Sequence, residues 1–170
     1  MIIINESDMQ FGRYREEQVF QIEKSEQYTK KLRQKEVRCC EFILLRSNKL
    51  FFVEAKKTCP NQLTADSDDK IVDNFNDYIC KITEKMRHSL ELYSNILLER
   101  YSQQGVPEQM KSISEREICL VLVIKNAKLD WLISLRDKIA KELRKEMQIW
   151  KIPSFCVLNE EQARKKHFII

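Results

Sequence analysis

Three charged residues stand where the surrounding sequence is otherwise apolar. The stretch 41–57 reads EFILLRSNKLFFVEAKK. It holds two short apolar runs, 42–45 and 50–53, joined by the polar residues Arg46, Ser47, Asn48 and Lys49. Runs this short, rich in branched and aromatic residues, predict two buried strands of a β-hairpin. Glu41 heads the first run, and Glu54-Ala55-Lys56 closes the second. Side chains alternate across a strand, so Glu54 and Lys56 share one face and Ala55 takes the other. Antiparallel pairing then brings Glu41 roughly opposite the end of the second strand. The expected result is two carboxylates and one ammonium on a single sheet face.

That set suits hydrolysis of a phosphodiester. Glu41 and Glu54 supply oxygen ligands for Mg²⁺ (or Mn²⁺), and the backbone carbonyl of Ala55 can add another; such ions prefer oxygen and keep waters for the substrate. A cation there lowers the pKa of a water and offsets the charge developing on phosphate. Lys56 can position the water or stabilise the transition state. The plainer alternative is an ordinary hairpin with solvated charges, in which Lys56 and Lys57 guard a strand end against edge pairing.

These residues need a scaffold, and the rest of the chain predicts one. A chain of 170 residues, 43% hydrophobic and 33% charged, reads as a single globular domain spanning 1–170. Residues 2–4 suggest a short strand, and 18–23 (QVFQIE) a strand with Phe20 and Ile22 on one face, with a helix over 14–22 as the other reading. Residues 25–34 suit a short surface helix. Asp66, Ser67, Asp68 and Asp69 form a helix-start signal, since such side chains cap free N–H groups and favour the positive end of the helix dipole. The apolar residues Ile71, Phe75, Ile79, Ile82, Met86, Leu90, Tyr93 and Leu97 recur every three or four positions. They predict one long helix reaching about Gln103, where Gly105-Val106-Pro107 stops it. Its length leaves room for a kink, or for a homodimer or protein complex formed through it.

Residues 117–125 (EICLVLVIK) read as a central strand covered on both faces. A helix follows, with the stripe Leu129, Leu132, Ile133, Ile139, Leu143, Met147 and Trp150. A last strand covers 154–158, and the tail suggests a helical turn. The alternation predicts an α/β fold: a mixed sheet flanked by helices, one of them unusually long.

The acid at the head of one strand, followed by E-x-K at the end of the next, resembles the PD-(D/E)XK nuclease superfamily. Twelve residues separate Glu41 from Glu54. The helix and strand that follow also resemble that family's core. Glu41 stands where members usually carry Asp, and Cys40 where Pro often precedes it. The resemblance implies a restriction-endonuclease-like fold, a Mg²⁺- or Mn²⁺-dependent nuclease acting on DNA, and a further acid from an earlier element. Glu23 is the candidate for that acid, with Glu17 as the second choice. The same scaffold also occurs without catalysis, so the alternative is an inactive binding or assembly module in a defence or DNA-processing complex.

The net charge of +4 permits a phosphate-bearing partner without demanding one. Lys30, Lys31, Arg33 and Lys35, together with Lys57, lie nearest in sequence to the proposed site and form the candidate nucleic-acid patch. Arg136, Lys138, Lys141, Arg144 and Lys145 read as the solvated face of the second long helix, with nucleic-acid contact as the alternative. Two glycines, Gly12 and Gly105, leave little room for a phosphate-cradling loop. Neither His88 nor His167 has a ligand-like context. Six cysteines without a CxxC pair suggest reduced thiols in a cytoplasmic protein. The N-terminus lacks the pattern of a signal peptide. The longest apolar run, 118–124, is too short for a membrane span.

Overall fold

A computed structural model describes residues 1–60, 69–112, 114 and 116–170. Strands β1 (Ile2–Glu6) and β2 (Met9–Tyr14) pair as a separate antiparallel hairpin. The main sheet has five strands in the order β3 (Val19–Phe20), β4 (Phe42–Arg46), β5 (Lys49–Lys56), β6 (Glu117–Ile124) and β7 (Phe155–Asn159). The first three are antiparallel to one another in turn, while β5, β6 and β7 run parallel. Parallel neighbours need a crossover between them. Helix α2 (Asp69–Leu97) lies between β5 and β6, and α3 (Leu129–Glu142) with α4 (Arg144–Ile149) between β6 and β7. Two short helices, α1 (Glu26–Lys31) and α5 (Glu160–Lys165), complete the set. The fold is thus the expected α/β mixed sheet flanked by helices, with one long helix.

The β4–β5 hairpin turns at Ser47 and Asn48, both in the left-handed region (φ 49° and 60°). A two-residue turn of that hand matches the twist of the strands it joins and fixes the register. Phe42 faces Val53 and Arg46 faces Lys49.

Alternation then sorts the side chains. Ile43, Leu45, Leu50, Phe52, Leu120 and Leu122 pack toward α2 and α3, against Phe75, Ile79, Ile82, Met86, Leu90 and Tyr93 of the long helix. Phe42, Leu44, Val53, Ala55, Val121 and Val123 face the other way. They pack against Met9 and Phe11 of the small hairpin and Phe168 near the C-terminus. The described part of the α2 stripe is therefore spent on the chain's own sheet. No helix among the described residues is long and apolar enough to cross a membrane.

Several boundaries differ from expectation, each for a local reason. Strand β3 lasts two residues and gives way to a 3₁₀ turn at Ile22–Lys24, although Phe20 and Ile22 still bury into one cluster. Helix α2 ends at Leu97, short of Gln103. Glu99 takes the left-handed region (φ 60°), its N–H bonds to Ile96 O at 3.0 Å, and Arg100 N–H bonds to Asn95 O at 2.9 Å. These are the paired bonds of a Schellman stop, with glutamate in the position glycine usually fills. At 29 residues, α2 is about 43 Å long. The second helix breaks at Leu143 into α3 and α4. Within its stripe, Leu129 and Ile133 are exposed and Leu135 is buried instead. The expected caps Asp66, Ser67 and Asp68 lie outside the described residues.

Candidate active site at the end of the central hairpin

Strand β5 outruns its partner. Strand β4 begins at Phe42, but β5 continues past Val53 to Lys56, with β6 still beside it. One more rung is added by Glu41, whose N–H donates to Val53 O at 3.0 Å. Val53 is already the register partner of Phe42, so Glu41 and Phe42 both meet it in a bulge-like step, and Glu41 comes to lie beside Glu54. Both side chains share the α2 face, since Glu41 follows the parity of Ile43 and Leu45, and Glu54 that of Leu50 and Phe52. Lys56 lies one alternation further along the same face. Glu23 arrives from the 3₁₀ turn after β3, the strand that pairs with β4 on the side away from β5.

The backbone contributes as well. Carbonyls alternate in direction along a strand. Val53 O accepts from Glu41 on the β4 side, and Lys56 O accepts from Lys125 N at 2.9 Å on the β6 side. The Ala55 carbonyl therefore points with that of Val53, into the space beyond the start of β4.

A residue the sequence reading did not single out sits at the centre. Lys85, on α2, places its Nζ 2.9 Å from Glu54 Oε1, 3.1 Å from Glu54 Oε2, 3.5 Å from Glu41 Oε1 and 3.8 Å from Glu23 Oε1. Lys56 Nζ lies 2.7 Å from Glu54 Oε1. Glu54 is fully buried, and its Oε1 accepts no well-directed hydrogen bond. The ammonium groups of Lys56 and Lys85 both lie within ion-pair distance of that oxygen. Ser89 ties the assembly together: its Oγ accepts from Cys40 N at 2.7 Å and donates to Lys85 O at 2.6 Å. The start of β4 is thereby pinned to the turn of α2 that carries Lys85.

Burial and mutual charge set the protonation. Burial raises the Glu41 carboxyl to about 9, helped by a hydrogen bond with Glu23 and by the charge of Glu54. Burial also raises Glu54, while Lys85 and Lys56 oppose the rise. Burial works against the charge of Lys85, but Glu54 and Glu41 outweigh it, and its pKa rises above the ordinary value. A proton retained on Glu41 lessens the negative charge that Lys85 and Lys56 must offset. A buried cluster that balances in this way avoids the cost of an uncompensated charge.

The structure thus brings Glu23, Glu41, Glu54 and Lys56 together. The candidate nucleic-acid residues lie outside the cluster. Lys57 pairs with Asp8 at 2.6 Å, Lys30 pairs with Glu26 at 2.8 Å, and Lys31 lies 5.7 Å over the ring of Tyr101. Arg33 and Lys35 are exposed in the turn after α1. Glu17, the second choice for the extra acid, pairs with Arg15 on the surface. His88 accepts from Arg38 N at 3.2 Å through Nδ1.

Lys85 has a signature in the sequence. Tyr78, Ile82, Lys85, Ser89, Leu92 and Ile96 follow intervals of four, three, four, three and four. That is a second stripe beside the one already described, and a lysine and a serine interrupt it. Ser89, Leu92 and Ile96 are buried, so the covered face of α2 is wider than a single stripe implies.

The donor set, all oxygen, is of the kind a hard cation takes. Three carboxyls gather around one positive charge, and the Ala55 carbonyl points to the same side. Among the described residues, no three acidic, histidine or cysteine side chains already stand as a ready ligand set. Their oxygens turn toward Lys85. Beside the cluster, an open pocket of about 630 Å³ is bounded by Lys56, Lys57, Cys59, Tyr78 and Lys81.

Compared with known proteins, the chain matches no family model, no curated sequence and no solved structure.

Proposed function

We propose that the chain is a divalent-cation-dependent nuclease with a PD-(D/E)XK-like site that hydrolyses phosphodiester bonds of DNA. The observation that carries this reading is the convergence of Glu23, Glu41, Glu54 and Lys56 at the end of the β4–β5 hairpin. Glu41, Glu54 and the Ala55 carbonyl are the proposed ligands for Mg²⁺ or Mn²⁺, with Glu23 beside them. The cation would supply charge neutralisation and water activation. Lys56, held against Glu54 and bordering the open pocket, faces the space a phosphate would enter. Its charge would stabilise the transition state there. Lys30, Lys31, Arg33, Lys35 and Lys57 are the proposed backbone contacts, and a cytoplasmic setting belongs to the same reading. The test is incubation with supercoiled, linear and single-stranded DNA, and with RNA, in Mg²⁺ or Mn²⁺. Cleavage of DNA that is lost in Glu54→Ala and Lys56→Ala supports the reading. No cleavage of any substrate, or equal cleavage by Lys56→Ala, refutes it.

A specific observation favours a second reading. Lys85 already neutralises the acids, so the cluster satisfies itself without a further ion. On that basis the chain is a non-catalytic binding or assembly module on the same scaffold. Calorimetric titration separates the two, because clear Mn²⁺ binding that vanishes in Glu54→Ala counts against the module.

A further inference from the structure

We propose that the Lys85 ammonium is a resident counter-ion of the carboxylate cluster, one that an incoming divalent cation displaces. The inference rests on the cation-dependent reading of the same site. The geometry for it is direct. Lys85 Nζ lies within 4 Å of one oxygen of Glu23, one of Glu41 and both of Glu54. Those are the oxygens proposed to hold the divalent ion. A Mg²⁺ ion takes oxygen at about 2.1 Å and tolerates little distortion. Two cations cannot share those oxygens without strong mutual repulsion.

The hold of Lys85 is also incomplete. Its one well-directed hydrogen bond to Glu54 goes to Oε2 at 3.1 Å, and its approach to Glu41 is long at 3.5 Å. Glu54 Oε1 is met by the mobile ammonium ends of Lys56 at 2.7 Å and Lys85 at 2.9 Å. A cation that displaces the Lys85 end gains access to that oxygen.

Lysine suits this role because its charge rides on a flexible four-carbon stem. The Lys85 side chain retains 15% exposure, so a route outward exists. The stem stays packed on α2 while the charged end moves to water. In the cation-free protein Lys85 holds the three acids together at low electrostatic cost. On loading, the incoming charge replaces it. The consequence is a site that folds without metal and binds metal more weakly than its carboxylates alone would.

The experiment compares Mn²⁺ affinity by calorimetry for the wild-type chain, Lys85→Met and Lys85→Arg, all stripped with chelator. Met keeps the stem and removes the charge. The expected result is binding at least tenfold tighter in Lys85→Met, with Lys85→Arg no tighter than wild type. A second measurement needs no variant: the wild type is pulse-acetylated with and without saturating Mn²⁺ and read by mass spectrometry. Modification of Lys85 should rise several-fold with Mn²⁺, while exposed Lys30 stays constant. Equal or weaker binding by Lys85→Met overturns the displacement, as does unchanged Lys85 labelling in a wild type that binds. If the variant fails to fold, the labelling decides. Binding by neither protein overturns both this inference and the cation-dependent reading. Binding by Lys85→Met alone keeps Lys85 as the occupant and refutes the nuclease reading of the natural chain.

Discussion

Replacing Glu41 by Gln should flatten the pH dependence of stability in this protein. The folded chain raises the Glu41 carboxyl from 4.5 to about 9, chiefly by burial. The side chain is only 8% exposed, so solvent screening reduces the effect little. Between those values the folded state holds a proton that the unfolded state releases. Stability therefore falls as pH rises: the contribution is fully present below about 4.5 and gone above about 9. One proton corresponds to about 1.4 kcal/mol per pH unit, or about 3 kcal/mol between pH 6 and pH 8. Gln imitates the protonated acid, because its amide can still donate to Glu23, yet it does not titrate. The assay is urea unfolding of both proteins at pH 6, 7 and 8 with chelator present. The difference in slope between the two chains reports Glu41 together with its coupling to Glu54 and Glu23. Wild type should lose about 3 kcal/mol more than Glu41→Gln across that range. Parallel losses would refute the idea that burial keeps Glu41 protonated.

Three further outcomes follow from the same structure. Glu54→Ala should destabilise the chelated protein by about 3–5 kcal/mol in urea unfolding, because Lys56 and Lys85 then face each other without the anion between them; an unchanged midpoint would show the cluster is solvated. Glu99→Gly should raise stability by up to about 1 kcal/mol in the same assay, since glycine takes the left-handed stop of α2 without the Cβ penalty. Replacing Lys30, Lys31, Arg33 and Lys35 together by Ala should weaken DNA binding and reduce the slope of log affinity against log salt by about 0.9 for each phosphate that these cations neutralise; an unchanged slope would place the nucleic-acid surface elsewhere.

The hairpin and three of its charged residues were legible in the sequence because strand periodicity and turn chemistry are local. Ser47 and Asn48 permit the tight turn, the turn sets the register, and the register brings Glu41 to the end of β5 beside Glu54. The fold class was legible too, since apolar runs of strand and helix period alternate along the chain. Glu23 was reached through a resemblance rather than through spacing. The strand expected to carry it is shorter than its pattern suggests, because a 3₁₀ turn takes over after Phe20. Helix α2 stops earlier than glycine and proline signal, because its stop is a glutamate held by two backbone bonds.

Lys85 is the decisive case. It lies 31 residues beyond Glu54 on a different element, and its place in a second stripe of α2 marks it as covered without saying which groups it meets. Only the docking of α2 across the sheet, pinned through Ser89 and Cys40, brings its ammonium among the three carboxyls. Sequence determined which acids the hairpin presents, because alternation along a strand is a property of the backbone. Tertiary structure decided which charge balances them, because a partner for a buried carboxylate is set by what packs above it, not by what precedes it in the chain.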